Sequence, residues 1–355
     1  MVRARVDSGR RRGEAKARKL NIATWNVRTL VEDGGDPKVS RARPSTAQAD
    51  TVVDRKFEFL VAELKRFEIA IAGVQETKWF GADVWSSSGF TMLHSGRQLP
   101  PAGTPAFRNE GVGIVLNPEM TDAWRRGGKS WTAVGSRIVV ARLKLADAGD
   151  WVPSQRWRRR SDLFLSVINC YAPTSKASLP TKNKFYADMQ TTLDGVPRDD
   201  IQIVLGDFNA RVGVQPASGD MWSDVRGRYG LGQCNAAGER LLMWCATNQL
   251  SIMNTWYRKP HHRRGTWTHP ATRLPHLIDM VLMRQSQHWH CQDVSVMRGA
   301  NCFTDHFMVR IKLRISAAQP RRARPPPSGR RKAVAAVEVL TRDAIVVSIR
   351  LARAF

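Results

Sequence analysis

Ile201-Gln202-Ile203-Val204-Leu205-Gly206-Asp207-Phe208-Asn209-Ala210-Arg211 is the stretch that decides the fold. Alternating Ile201, Ile203 and Leu205 predict a buried strand, and Gly206 predicts a sharp turn at its end. That turn delivers Asp207 and Asn209 beyond the carboxyl edge of a sheet, where open α/β-type sheets commonly keep their chemistry. A carboxylate there binds a hard cation or takes a proton from water, and the neighbouring amide donates or accepts without adding charge. Taken alone, Gly-Asp-Phe-Asn is equally a strand-terminating Asx turn.

Five further β-type runs carry a polar residue in the same way. They are Thr24-Trp25-Asn26-Val27, Gln75-Glu76-Thr77-Lys78, Cys170-Tyr171-Ala172-Pro173, Ile278-Asp279-Met280-Val281 and Thr304-Asp305-His306. Together with the first stretch they form a constellation rather than scattered turns.

Working outward, Lys19 to Val27 reads as a first strand, and Ala47 to Phe67 as an amphipathic helix with Val52, Val53, Phe57, Leu60, Val61 and Leu64 on one face. Ile69 to Val74 is the next strand, and the order strand, helix, strand predicts adjacent parallel pairing. Strands are expected at Thr91 to Leu93, Gly111 to Leu116, Arg137 to Leu145 and Leu163 to Cys170. A helix follows from Thr181 to Leu193, and another, capped by Asn235, runs to Asn248. Leu250 to Asn254, Thr266 to His269, Leu277 to Met283 and Phe307 to Ile315 complete the strands. Two helix-linked, β-rich halves fit one α/β sandwich better than two independent domains.

The chain has 355 residues with 42% hydrophobic content, enough for a substantial core. Its net charge of +25 favours a polyanionic partner, nucleic acid or an anionic membrane surface. Five cysteines, without CxxC spacing, argue against a disulfide framework and a zinc ribbon and predict buried thiols in a reducing compartment. No apolar run reaches the roughly 18 residues of a membrane span, and no signal peptide is evident. An intracellular, nuclear protein is expected. The first nineteen residues carry eight Lys or Arg against two acids. A basic arm (1–18), one domain (19–316) and a Pro/Arg-rich linker with a short remnant (317–355) are therefore expected. Within the domain, the segment Asp147 to Ser161 interleaves Trp151 and Trp157 with Arg156, Arg158, Arg159 and Arg160, a pattern suited to nucleic acid or to a solvated hairpin tip.

The ordered set Trp25-Asn26, Gln75-Glu76-Thr77, Asn169-Cys170-Tyr171-Ala172-Pro173, Gly206-Asp207-Phe208-Asn209, Thr266-Trp267, Ile278-Asp279 and Asp305-His306 resembles the endonuclease/exonuclease/phosphatase superfamily over residues 19–315. Thr24-Trp25-Asn26-Val27-Arg28-Thr29-Leu30 and Gly238-Glu239-Arg240-Leu241-Leu242 resemble, within it, endonuclease domains of non-LTR retrotransposons and craniofacial development protein 2-like proteins. The resemblance implies a four-layered α/β sandwich of two mainly antiparallel sheets flanked by helices. It also implies hydrolysis of a phosphodiester in DNA with Mg²⁺, Mn²⁺ being a plausible substitute.

Under that resemblance Glu76 is a metal ligand, Asn26 a neutral ligand or orienting group, and Asp305 a further ligand. Asp207 takes the proton from water, and Asn209 holds that water or a phosphate oxygen. His306 donates to the phosphate with Asp279 fixing its tautomer, and Tyr171 offers its hydroxyl. Arg28, Lys78, Lys259, Arg263 and Arg264 are candidate nucleic-acid contacts. Arg28 departs from many members, which carry an acid there, and so removes one carboxylate from the metal site. A catalytically silent nucleic-acid or chromatin binder, a phosphatase of the same fold and a truncated reading frame are the competing readings.

Overall fold

The computed structural model describes residues 18–31, 55–99, 101, 110–147, 162–216 and 221–315. Nearly all of the basic arm, the Trp/Arg segment 151–160 and the tail 317–355 lie outside the described residues. Along the first half run β1 (Arg18–Asn26), α1 (Arg55–Arg66), β2 (Ile71–Gln75), β3 (Ala82–Ser87), β4 (Phe90–Ser95) and β5 (Val112–Leu116). Next come α2 (Pro118–Arg126), β6 (Trp131–Val134), β7 (Ile138–Ala146), β8 (Leu163–Tyr171), α3 (Leu179–Asp194) and β9 (Ile201–Asp207). The chain continues through α4 (Ala236–Thr247), β10 (Leu250–Ile252), β11 (Trp267–Thr268), β12 (Pro275–His276), β13 (Asp279–Arg284), β14 (Cys291–Met297) and β15 (Met308–Ile315).

These strands form a seven-stranded sheet, ordered β14-β15-β1-β2-β5-β4-β3, a six-stranded sheet, ordered β10-β13-β9-β8-β7-β6, and a two-stranded ribbon of β11 and β12. β1 and β2 pair in parallel across α1, as the strand, helix, strand order predicts, and β8 and β9 pair in parallel across α3. The other pairings within the two sheets are antiparallel.

Three apolar clusters explain the layering. Ile22, Leu93 and Ile311 of one sheet meet Val167, Ile203 and Val281 of the other between the sheets. Phe57, Leu60, Val61 and Leu64 of α1 cover the outer face of the first sheet against Trp25 and Val74. Burying those four side chains contributes on the order of 6–12 kcal/mol, an upper figure for a compact unfolded reference. On the far side, Phe185 and Met189 of α3 with Leu241 and Leu242 of α4 pack over Ile168, Val204 and Leu282. The result is helix, sheet, sheet, helix, the four-layered sandwich expected.

β9 is buried along its whole length. Its alternation does not separate core from solvent: Ile201, Ile203 and Leu205 face the cluster between the sheets, while Val204 faces α3 and α4. Gly206 does not make the turn. The strand continues through it to Asp207, with Gly206 paired to both Cys170 and Met280. A Cβ at Gly206 would stand 2.2 Å from the Cys170 carbonyl oxygen, so close strand approach is what requires glycine. The turn falls at Asn209, with φ of +47°, whose N–H donates to Asp207 Oδ1 at 2.9 Å.

Sequence reading leaves α2, β3, β6, β12 and β14 unassigned. α2 is capped by Asn117, whose side chain accepts from the Met120 N–H, and Pro118 takes the first helical position. The predicted Asn235 cap of α4 forms, accepting from the Gly238 N–H at 2.8 Å.

One buried amide sets how the sheets meet. Asn169 on β8 donates from Nδ2 to the Val74 and Gly113 carbonyls, each at 2.8 Å, and its Oδ1 accepts from Gln75 Nε2 at 2.6 Å. A Cβ on Gly73 would lie 2.6 Å from Asn169 Oδ1, so the opposing strand must carry glycine there. This crosslink brings the carboxyl ends of β1 and β2 against those of β8 and β9.

Candidate active site

Register places the functional side chains before any contact is considered. Asn26 stands opposite Gln75, so Glu76 follows directly past β2. On the other sheet, Tyr171 and Asp279 both stand opposite Asp207. The two strand-end groups face each other, and Asn26 closes the joint: its Nδ2 donates to Glu76 Oε1 at 2.9 Å and to Asp207 Oδ2 at 3.0 Å. Asn26 Oδ1 accepts from the Arg28 N–H at 2.9 Å. The Tyr171 hydroxyl donates to Glu76 Oε1 at 3.0 Å.

His306 enters from the loop before β15. Its Nδ1 lies 3.0 Å from Asp279 Oδ2 and 3.2 Å from Oδ1, and the Asp207, Asp279 and His306 ligand atoms all lie within 4.8 Å of one another. The loop is held by the Trp25 indole N–H donating to the His306 carbonyl at 3.0 Å and by Thr304 Oγ1 donating to the Asn26 carbonyl at 2.8 Å. Thr266 Oγ1 accepts from the Ile278 and Asp279 N–H groups, each at 3.1 Å, which fixes the start of β13. Arg28, Glu76, Lys78 and Asn209 all have left-handed backbones, with φ of 60°, 56°, 59° and 47°. Non-glycine residues pay strain there, a pattern that clusters at functional sites.

Burial, reinforced by the Asp279 charge and opposed by His306, raises the Asp207 carboxyl from 3.8 to about 7. Burial alone would lower His306, but the charge and hydrogen bond of Asp279 outweigh it and raise the ring from 6.5 to about 9. The ring is therefore held charged at neutral pH. Burial, then the charges of Glu76 and Asp207, push the Tyr171 phenol well up, so it stays a donor.

The donor set fits a hard divalent cation. Glu76 and Asp207 offer carboxylate oxygens bridged by one amide, no thiolate takes part, and burial leaves Asp207 short of compensating charge. Asn26 turns its nitrogen toward both carboxylates, which is the orienting arrangement rather than the ligating one. Asp305 is exposed, accepts from the Trp267 indole N–H at 2.9 Å and stands outside the tight cluster. Asn209 donates from Nδ2 to the Ala172 carbonyl at 2.9 Å.

Among the basic candidates, Arg28 and Arg263 are exposed, and Lys78 Nζ lies 4.0 Å from Glu76 Oε2. Lys259 instead donates to Asp293 Oδ1 at 2.6 Å, and Arg264 donates to the carbonyls of Lys259 and Gly230. Sequence reasoning missed the supporting roles of Asn169, Thr266 and Thr304. A polar residue inside the apolar run Leu163–Tyr171 was the available signal for Asn169.

The arrangement has counterparts among solved structures. The AP endonuclease of Leishmania major matches 84% of this chain and 89% of its own, with a TM-score of 0.54 and 13% identity. The chain carries the endonuclease/exonuclease/phosphatase fold. Sharing this fold are the endonuclease domain of TRAS1, a telomere-specific non-LTR retrotransposon, at TM-score 0.50 and 12% identity over 84% of this chain and 99% of that one. So does a Neisseria 3′ phosphatase bound to product DNA hairpin, at 0.50 and 17% over 83% and 99%. In sequence the chain is 30% identical over 294 residues to craniofacial development protein 2 of Bos taurus, covering 83% of this chain and 41% of that protein. The Tragulus javanicus counterpart gives 30% over the same length, with 42% of it covered. The chain thus spans less than half the length of the curated relatives it matches. No protein-family model matches it.

Proposed function

We propose that this chain is a divalent-metal-dependent phosphodiesterase that nicks one strand of DNA, an endonuclease of retrotransposon type. The observation that carries the reading is the Asn26 amide bridging Glu76 and Asp207 beside a buried His306–Asp279 pair. Glu76 is the residue to hold Mg²⁺ or Mn²⁺, with Asn26 fixing its carboxylate and Asp305 as the acidic group at the rim. A bound cation would supply charge neutralisation on the phosphate and lower the pKa of the attacking water.

The chain's own groups do the rest in this reading. Asp207, poised near neutrality, accepts the proton of the attacking water, and Asn209 at the following turn positions that water. His306 uses Nδ1 on Asp279, which leaves Nε2–H to donate to a non-bridging phosphate oxygen. Tyr171 donates to the phosphate or the leaving oxygen. Arg28, Lys78 and Arg263 are assigned to the flanking backbone, in keeping with a net charge of +25 and with the DNA-bound structure of the same fold.

Incubation with supercoiled plasmid, with and without Mg²⁺, tests the proposal. Conversion to the open circular form only with the cation is the expected result. Retained DNA binding without any nicking would instead favour the silent binder.

A further inference from the structure

Beside the site lies an exposed aromatic pair that hydrolysis does not use. Phe303 is 65% exposed and Phe59 on α1 is 50% exposed, and their rings meet edge to face with centroids 5.3 Å apart. Phe303 is held in place. Its N–H donates to Asn301 Oδ1 at 3.0 Å, and the Asn301 N–H donates to Glu63 Oε2 of α1 at 2.9 Å. The next residue, Thr304, is tied to the Asn26 carbonyl at 2.8 Å. Phe303 has φ of +62°, a conformation that a bulky side chain adopts only when the surroundings impose it. The loop thus accepts backbone strain in order to hold an apolar ring in solvent.

Across that Thr304 bond stands a cation. Arg28, two residues past Asn26, is exposed and also left-handed at φ of 60°. Arg28 and Phe303 are therefore joined through one hydrogen bond, Arg28 two residues from Asn26 and Phe303 one residue from Thr304. Phe303 is three residues from His306, a chain distance of at most about 11 Å. An exposed arginine and an exposed ring tied to the two ends of one hydrogen bond, on a chain of net charge +25, match a strand of nucleic acid held by its phosphate and by a base face together.

Building on the DNA reading above, we propose that Phe303, braced by Phe59 and flanked by Arg28, is a stacking platform for an unpaired base beside the phosphate that His306 contacts. The preferred DNA is then single-stranded or locally unpaired rather than fully paired.

Fluorescence anisotropy in EDTA separates binding from hydrolysis. The probes are a single strand, its fully paired duplex and the same duplex with one unpaired base. Wild type is expected to prefer the first and third probes. Phe303→Ala should weaken those two by about 5- to 150-fold, the loss of one stacked base, and leave the paired duplex unchanged. Phe303→Trp should keep the preference, and 2-aminopurine at the unpaired position should be quenched by wild type but not by Phe303→Ala.

Equal weakening on all three probes, or none, overturns the platform. So does a dimer in sedimentation velocity that Phe303→Ala dissolves while DNA binding is untouched, since the pair would then be a face for a second copy. Plasmid nicking without Phe303-dependent preference removes this proposal alone, and the preference without nicking removes the hydrolytic reading alone.

Discussion

Asp279→Asn keeps the shape of the side chain and removes its charge, so it tests whether Asp279 sets the protonation of His306. The ring titrates at about 9 instead of 6.5, a gap of about 2.5 that corresponds to about 3 kcal/mol in favour of the charged form. Without Asp279, burial dominates and the ring should titrate at or below 6.5. The chain has eight histidines, so the His306 Cε1–H resonance can be assigned by comparison with His306→Gln in a metal-free NMR titration. Linkage fixes the sign of the stability effect. Between 6.5 and about 9 the folded state binds more protons than the unfolded state, so this contribution is fully present below 6.5 and lost as pH rises through 9. Asp279→Asn should therefore cost most stability near pH 6 and least above pH 9.5 in urea unfolding. In nicking assays the Asp279→Ala, His306→Ala double variant should be scarcely worse than His306→Ala, because the two act as one unit. A ring that still titrates near 9 in Asp279→Asn, or activity losses that multiply, would refute this coupling.

Glu76→Gln should abolish nicking in Mg²⁺, and Asp207→Asn should do the same while preserving shape; wild-type rates from either on plasmid would remove that residue's assigned role. Deleting residues 1–17 should weaken binding to all DNA sequences alike and flatten the salt dependence, and an unchanged slope in a salt titration would show the arm makes no phosphate contacts. Burial lowers His288, packed edge to face on Trp256, from 6.5 to about 4. The unfolded state then binds more protons in that window, so stability should fall by up to about 3 kcal/mol as pH drops from 6.5 to 4. His288→Phe should flatten that part of the curve measured by urea unfolding.

The site was legible where a strand hands a polar residue to its own end. Asn26, Glu76, Tyr171, Asp207, Asp279 and His306 each follow or begin an apolar run, and the sheets bring all six together. What pairs across long sequence distance was not legible. Lys259 reads as a free cation in its basic loop, yet Asp293 takes its ammonium, and nothing local in sequence announces that partner. The edge strands β3 and β14 carry too little buried apolar alternation to stand out, β3 being mostly exposed. α2 follows from its Asn117-Pro118 cap and first turn rather than from a long apolar period, which is why periodicity passes over it. Gly206 was read through the common meaning of glycine as a turn, whereas a neighbouring carbonyl at contact distance is the cause.

The electrostatics of the pocket explain why the fold and the chemistry cannot be separated here. Asp207 and Asp279, both buried, face one imidazole ring, and Asn26 links Asp207 to a third carboxylate, Glu76. His306 satisfies Asp279, and Asn26 gives one amide to the other two without adding charge. Burial, together with the Asp279 charge, outweighs what His306, the Asn209 N–H and Asn26 supply, and the Asp207 carboxyl rises to about 7. The Lys78 ammonium stands 4.0 Å from Glu76 and is partly exposed, which makes it too weak a partner to neutralise a buried site. A divalent cation held at Glu76 would add the positive charge that this joint between the two sheets lacks. The same Asn26 amide that ties the sheets together thus bridges the two carboxylates beside which that charge would sit.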